Sequence, residues 1–449
     1  MARALTRPCH ARCRSRRGPH AGWRLAGRPG SHGPARGGSH ELDSHGLAAW
    51  GASSDRSSGG VVKAALLLVM VLSGTEAAGF LGACPKPPQP GEPLRDLTPE
   101  QLASFNAGKA IFSRDFTPEQ GLGPLFNSTA CAQCHEDPAV GGSGDEVETH
   151  VAVAGPNGSC DMLAAHGGPV FQAHTTPALK AALGIDSEPL PEGVTVRGMR
   201  TSPSLFGFGL LDAVPDEEIL VRADSADRDH DGISGRVNRT ADGRIGRFGR
   251  KAFGGPTLAD FNAGAFLIEM GITNPANPHE ESIGGKPIPP GVDPTPEPEI
   301  SAAAVQAVTD FVRFLAPPPP LRLSIEGQRG RYLFATMGCV SCHTPTLYTG
   351  PNKVRALDRK PVNAYTDLLL HDMGEARADI CLGLATPSEF RTEPLMGLRL
   401  RSHFLHDGAA DSIEQAIDLH AGEAQRARDK FAKASAKDRE AVLTFLKTL

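Results

Sequence analysis

Two short cysteine–histidine motifs constrain this chain more than any other feature of its sequence. Both have the form C-x-x-C-H, and they span residues 131–135 and 339–343. Two thiols at this spacing can add to the two vinyl groups of a haem, and the adjacent histidine then meets the iron. A zinc site or a thiol redox pair is the alternative for either motif alone. Two copies favour two covalently bound haem c groups, attached through Cys131, Cys134, Cys339 and Cys342, with His135 and His343 as axial ligands.

A helical pattern precedes each motif. Thr98 and Pro99 are typical of a helix start before the first motif, and residues 324–334 form a short helical pattern before the second. Both segments resemble the N-terminal helix of a cytochrome c, which packs against a C-terminal helix. Candidate partner helices are residues 300–315 and 438–449. Four prolines at 317–320 separate the two halves.

The sequence therefore predicts a mainly α fold with two cytochrome c-like helical domains. The first haem domain is expected over residues 95–316 and the second over residues 322–449. The first is much longer than a minimal haem domain, so residues near 150–295 are interpreted as a long, loop-rich insertion.

The start of the chain predicts export. Residues 1–60 are rich in Arg and Gly without apolar periodicity, and we interpret them as a non-mature or overextended start. Residues 61–84 resemble a signal peptide, with Lys63 before nine apolar residues, which are too few to span a bilayer. An alternative is a lipoprotein box ending at Cys84, which would give a lipid anchor. Either route leads to the periplasm, where c-type haem is attached.

The charge of the chain excludes some partners. The formal net charge is −5, and residues 1–60 hold ten Arg, so the remainder is still more acidic. Such a chain is poorly suited to binding nucleic acid or an anionic membrane surface.

The sixth iron ligands have several candidates. For the second haem the sequence offers both methionine and histidine side chains: Met373, Met396, His371, His403, His406 and His420. For the first haem, His150 lies fifteen residues after His135, and His166 and His174 follow. Any single one of these histidines is more often a hydrogen-bonding or surface residue than an axial ligand.

Several C-terminal motifs resemble the bacterial dihaem cytochrome c peroxidase and MauG superfamily. They are E-F-R-T-E-P-L at 389–395, F-L-H-D-G at 404–408 and S-I-E-Q-A-I at 412–417. R-T-S-P-S-L-F-G-F-G-L-L at 200–211 and G-R-F-G-R-K-A at 246–252 indicate a closer resemblance to the dihaem oxidoreductase family, which is also labelled thiol-oxidoreductase-like peroxidases. The resemblance covers about residues 95–449.

This resemblance implies a peroxidase-type oxidoreductase in which electrons pass from the second haem to the first. His420 stands where the peroxidases place a methionine ligand of the donor haem, and Met373 is the reserve candidate. His150 is the candidate for the first haem. By the same analogy a Glu and a Gln act beside the peroxide-reducing haem, and the available residues are Gln172, Glu146 and Glu148. The tryptophan that relatives place between their haems has no counterpart here, because Trp23 and Trp50 precede the mature chain.

A non-catalytic dihaem electron-transfer protein is the alternative function. Expected partners are a small redox protein or a quinone-linked electron donor, together with peroxide or a small oxidisable substrate. Asp227, Asp229 and Asp231 match the first half of a calcium loop, although Asn238 replaces its final Glu. In an oxidising compartment Cys160 and Cys381 could form a disulfide.

Overall fold

The computed structural model describes residues 86–156, 159–280 and 282–449. The expected signal segment, the Cys84 lipid site and both tryptophans lie outside the described residues. The helices α1–α11 occur in the order Pro99–Phe112, Cys131–Cys134, Pro177–Leu183, Phe208–Asp212, Asp216–Leu220, Leu258–Met270, Ala302–Phe314, Ile325–Met337, Ile413–Asp418, Gln425–Lys433 and Ala436–Leu446. None of the helices within these ranges has the length and hydrophobicity needed to cross a bilayer.

The structure contains more strands than the sequence predicts. The strands β1–β10 are Leu125–Phe126, Val147–Ala154, Cys160–Asp161, Val170–Phe171, His174–Thr175, Val196–Thr201, Leu347–Tyr348, Pro361–Val362, Leu370–Asp372 and Glu389–Arg391. In the largest sheet β2 pairs antiparallel with β3, β4 and β6, and Thr149 lies opposite Met199. The pairs β1–β5, β7–β8 and β9–β10 form smaller two-stranded sheets.

The prediction of a mainly α fold is therefore wrong. Helices account for 33% of the structure and strands for 14%. The segment interpreted as a loop-rich insertion contains the largest sheet. Two of its strands, β3 and β4, have only two residues each, and β2 pairs with β6 across about fifty residues of chain, so local periodicity does not reveal the sheet.

Helix α1 packs against α7 at the first motif. A capping box formed by Thr98 and Gln101 starts α1, and Ser301 caps the start of α7. The helices approach closely at Gly108, because a Cβ there would lie 1.9 Å from the carbonyl oxygen of Ala307. Phe105, Phe112 and Phe311 fill the contact as part of the larger hydrophobic core.

Helices α8 and α11 repeat this arrangement at the second motif. At Gly330 a Cβ would lie 1.8 Å from the carbonyl oxygen of Ala441. Phe334 and Phe445 belong to a separate, smaller core around this crossing. The two partner helices predicted from the sequence thus pack as expected. Gly338 ends α8 with a positive φ of 100°, and Cys339 follows at once.

Residues Pro87–Leu449 form a single compact unit, and the boundaries at 95–316 and 322–449 stay predictions. Cys160 of β3 and Cys381, which lies between β9 and β10, form the disulfide that the sequence allowed. It joins segments separated by 221 residues.

Candidate haem sites

The first motif forms a single helical turn beside α1. The four-residue helix α2 spans both cysteines, and the backbone N–H of His135 donates to the carbonyl of Cys131. Nδ1 of His135 lies 3.1 Å from the carbonyl oxygen of Gly142. A carbonyl oxygen only accepts, so Nδ1 carries the proton and Nε2 keeps its lone pair for a metal. The imidazole also packs near the Phe112 ring, with centroids 6.1 Å apart.

The second motif has the same construction. The backbone N–H of His343 donates to the carbonyl of Cys339, and Nδ1 lies 2.9 Å from the carbonyl oxygen of Tyr365. The Phe334 ring lies 6.3 Å from the imidazole, as Phe112 does at the first site. Burial lowers the pKa of both His135 and His343 to about 4, so each is neutral at pH 7. Neutral imidazoles with a fixed Nδ1 donor are suited to binding iron through Nε2.

The cysteines of the motifs fit covalent haem better than the two alternatives. All four are free thiols. Burial raises the pKa of Cys131 and Cys339 to about 12 and that of Cys134 to about 11, whereas a redox pair has a lowered thiol pKa. Within the described ranges, neither motif belongs to a group of three close metal-ligating side chains, as a zinc site requires.

His420 faces His343 across a cavity at the second motif. Their ring centroids are 6.5 Å apart, with an interplanar angle of 48°. Nδ1 of His420 lies 2.6 Å from the carbonyl oxygen of Ala416, which leaves Nε2 available. Two metal–imidazole bonds of about 2 Å, together with the half-width of each ring, account for this separation. The geometry suits one iron bound from both sides.

The cavity between these rings has a volume of about 480 Å³, and Cys339, Cys342, His343 and His420 line it. Met373, the reserve candidate, also lies in its wall. Such a volume is within the range of cofactor sites in proteins. The residues at the second motif therefore fit a haem.

His371 is not available as an iron ligand. Its Nε2 lies 2.9 Å from an Asp367 oxygen, and its Nδ1 lies 2.8 Å from a Glu423 oxygen. Burial alone would lower the pKa of His371, but hydrogen bonds to Asp367, Cys342 and Glu423 outweigh it and raise the pKa to about 12. A protonated imidazole has no lone pair for a metal.

The first site differs from the second on the far side of its histidine. In the part of the chain that the structure describes, no second imidazole pairs with His135 as His420 does with His343. Nε2 of His150 lies 2.7 Å from a Glu148 oxygen, and its buried Nδ1 has no hydrogen-bond partner in the same part of the chain. The structure thus ties the predicted ligand His150 to a carboxylate.

A pair of glutamates lies near the first motif. Burial raises the pKa of Glu269 well above its usual value, and the charge of Glu148 and a hydrogen bond with it add to this effect. The negative charges of both residues and of Glu146 also raise the pKa of Cys134. The next residue, Met270, places its sulfur 3.9 Å from that of Cys131.

Glu269 was missed as a candidate site residue, although it lies in the E-M-G-I-T motif at 269–273. Only the fold brings α6 to the first motif and to β2. Gln172, a predicted catalytic residue, is buried, and its side-chain amide donates to the carbonyl of Ile268 at 2.9 Å. It connects β4 to the end of α6 beside Glu269.

The three aspartates of the predicted calcium loop come together at the surface. The carboxylate oxygens of Asp227, Asp229 and Asp231 lie within 4.8 Å of one another. Asn238, at the last loop position, is fully buried, and its amide nitrogen donates to the carbonyls of Lys251 and Leu382. Its amide oxygen, the atom that would bind calcium, accepts from the backbone N–H groups of Arg239 and Leu384. It therefore cannot complete the loop as a ligand.

The structure thus contains two motif sites of the same local construction, each beside a crossed helix pair, which is the arrangement expected of a protein with two haem groups. The chain belongs to the di-haem oxidoreductase family. The family model, described as "Di-haem oxidoreductase, putative peroxidase", matches residues 178–449, which is more than half of the chain. Membership implies two haem cofactors and a general oxidoreductase role.

Several solved structures are similar to this chain. Hydrazine synthase of Kuenenia stuttgartiensis has 14% identity and a TM-score of 0.36, covering 85% of this chain and 100% of its own. The diheme peroxidase BthA of Burkholderia thailandensis has 15% identity and a TM-score of 0.32, with coverages of 77% and 86%. A MauG-like protein associated with microbial copper homeostasis has 15% identity and a TM-score of 0.32, with coverages of 82% and 94%. No curated protein is significantly similar to this chain in sequence.

Proposed function

We propose that the protein is an exported peroxidase-type oxidoreductase that carries one covalent haem c at each motif. Electrons enter at the second haem and pass to the first, where peroxide is reduced. The observation that carries this proposal is the asymmetry of the two sites. His343 faces a second imidazole, His420, whereas among the described residues His135 faces none.

A bound haem supplies one-electron redox chemistry, and with an open axial position it also binds peroxide. The protein sets which of these occurs at each site. His343 and His420 would both hold the iron of the second haem, so this site would be suited to electron transfer alone. The carbonyls of Gly142 and Tyr365 fix the two proximal imidazoles in the tautomer that leaves Nε2 free.

Glu269 and Glu148 are the proposed acid–base groups. Reduction of one hydrogen peroxide to two waters consumes two electrons from the donor and two protons. Glu269 shares a hydrogen bond with Glu148, and burial raises its pKa well above the usual carboxyl range, which favours its protonated form near the first motif. The Glu148 side chain accepts a hydrogen bond from Nε2–H of His150 and shares a second one with Glu269. We assign His150 to this network rather than to the iron.

The electron donor is a small redox protein or a quinone-linked carrier. Two imidazole ligands give a lower haem potential than an imidazole and a thioether, so the donor must itself have a low potential. The oxidant is peroxide. A small oxidisable substrate could supply the electrons in place of the donor protein. We further propose a periplasmic location, with the Cys84 lipid anchor as the alternative, and a calcium ion at Asp227, Asp229 and Asp231.

A dihaem electron-transfer protein remains the second candidate function, because Nδ1 of His150 is buried without a partner among the described residues. In that case His150 would turn to the first iron and close its open side. Both haems would then be six-coordinate and unreactive towards peroxide.

Peroxide turnover by Glu269→Gln tests the proposal. The variant should keep two haems per chain but lose about 10²–10⁴-fold in kcat/KM for peroxide, the usual contribution of a general acid–base. Glu280→Gln is the matched control, because Glu280 also has a raised pKa but belongs to a separate acidic group with Asp293 and Glu297. It should turn over peroxide at the wild-type rate. Equal rates for both variants would refute the role of Glu269, and an inert wild-type protein would refute the enzyme.

A further inference from the structure

A group of buried arginines with too few carboxylates lies at the second haem site. Arg250, Arg391 and Arg401 all pair with Glu393, with N–O distances of 3.1, 2.9 and 3.1 Å. The arginine side chains are only 12%, 3% and 10% exposed. We call these four residues the arginine cluster. One carboxylate among three guanidinium groups leaves two positive charges uncompensated within the cluster.

Buried charges of this kind require a partner. An unpaired ion in a protein interior is strongly unfavourable, and buried charges are usually paired or neutralised. Burial lowers the pKa of Arg250 and of Arg391, and although Glu393 opposes this, the charge of Arg401 lowers both further. Nε of Arg401 is buried and has no hydrogen-bond partner in the described part of the chain. The cluster thus offers both positive charge and a free donor to an anion.

The position of the cluster indicates which anion. All four of its residues line the cavity that is also lined by Cys339, Cys342, His343 and His420. Among the described residues that line this cavity, seven are Arg or Lys and three are Asp or Glu. The anion that the cluster would bind is therefore expected to be part of the group that fills this cavity beside the second motif.

We propose that the arginine cluster binds the propionate carboxylates of the haem at the second motif; this rests on the haem attachment proposed above. A haem bound through its vinyl groups still carries two propionates, and two carboxylates match the two uncompensated charges. Guanidinium groups pair with carboxylates through two parallel hydrogen bonds and stay charged when buried. The cluster thereby fixes the rotation of the haem plane and raises the potential of an iron held by two imidazoles.

Redox titration of the holoprotein tests this assignment. Arg401→Gln removes one positive charge from the cluster. A charge on the order of 10 Å from a redox centre, at an effective dielectric constant of about 20, changes the equilibrium constant for reduction roughly tenfold, so the potential of the second haem should fall. A tenfold change corresponds to about 59 mV for one electron. Glu393→Gln removes a negative charge and should shift the same potential upward by a similar factor. Arg236→Gln is the control, because Arg236 pairs with Glu389 outside the cavity lining and should leave the potential unchanged.

A second readout is the propionate bending band in the resonance Raman spectrum, which should move in Arg401→Gln and not in Arg236→Gln. The assignment would be overturned if the potential of the second haem shifted in the same direction in Arg401→Gln and Glu393→Gln. It would also be overturned if both variants had the same potential as the Arg236→Gln control. These titrations need only bound haem, so a wild-type protein without peroxidase activity would contradict the proposed function and leave this result valid. Absence of haem from Cys339 and Cys342 by mass spectrometry would overturn both.

Discussion

Replacing Gly330 with alanine tests whether the close contact of α8 with α11 supports the second haem site. The added Cβ would lie 1.8 Å from the Ala441 carbonyl oxygen and 2.9 Å from Cβ of Phe445. Backbone cannot rotate away as a side chain can, so the helices must separate by more than about 1 Å. Overpacking of this kind costs about 3 kcal/mol. Because Phe334 packs on the His343 ring, the change should also disturb the geometry at the iron.

Urea unfolding followed by far-ultraviolet circular dichroism and by the haem Soret band would measure both effects. Gly264→Ala is the matched control, because the nearest atom to its Cβ is 4.0 Å away and Gly264 lies within a helix. There alanine should stabilise the protein by about 0.5–1 kcal/mol. If Gly330→Ala were as stable as Gly264→Ala, with an unchanged Soret band, our reasoning about the helix crossing would be wrong.

Three further variants test other parts of the structure. His420→Ala should convert the second haem from low spin to high spin without loss of haem, and a spectrum that stays low spin would exclude His420 as a ligand. The double variant Cys160→Ser with Cys381→Ser should lower the free energy of unfolding by about 2–5 kcal/mol; equal stability of oxidised and reduced wild-type protein would contradict this. Burial, followed by nearby positive charge, lowers the pKa of His406 to about 2. Below pH 6.5 the His406 side chain is therefore protonated in the unfolded chain but stays neutral in the folded protein. The free energy of unfolding should fall by about 2 kcal/mol between pH 7 and pH 5. His406→Gln should remove this loss in urea titrations at the two pH values, and an unchanged pH dependence would count against it.

The sequence indicated the features that local spacing defines. Both motifs, the helices before them and their partner helices follow from short-range patterns and capping residues. His420 was placed by the family resemblance, in which a ligand of the donor haem follows the S-I-E-Q-A-I motif, and the structure brings it opposite His343. The catalytic roles of Gln172, Glu146 and Glu148 stay predictions. Glu148 shares a hydrogen bond with Glu269, and the Gln172 amide donates to a backbone carbonyl.

Features that depend on distant contacts could not be predicted in this way. Glu269 meets Glu148 only because α6 and β2 come together, although more than a hundred residues separate them. The largest sheet was missed because β3 and β4 have only two residues each and because β2 pairs mainly with β6, about fifty residues further along the chain. The arginine cluster joins Arg250 to Glu393 and Arg401, which lie more than a hundred residues further along the chain, and no spacing rule connects them.

The electron paramagnetic resonance spectrum of the fully oxidised protein tests the central claim most directly. In the proposed enzyme the two irons differ in their ligands, with His343 and His420 on the second iron and His135 alone on the first. The spectrum should therefore contain one low-spin and one high-spin ferric signal in equal amounts, and peroxide added to the reduced protein should oxidise it. Two low-spin signals from a protein that peroxide does not oxidise would contradict the claim.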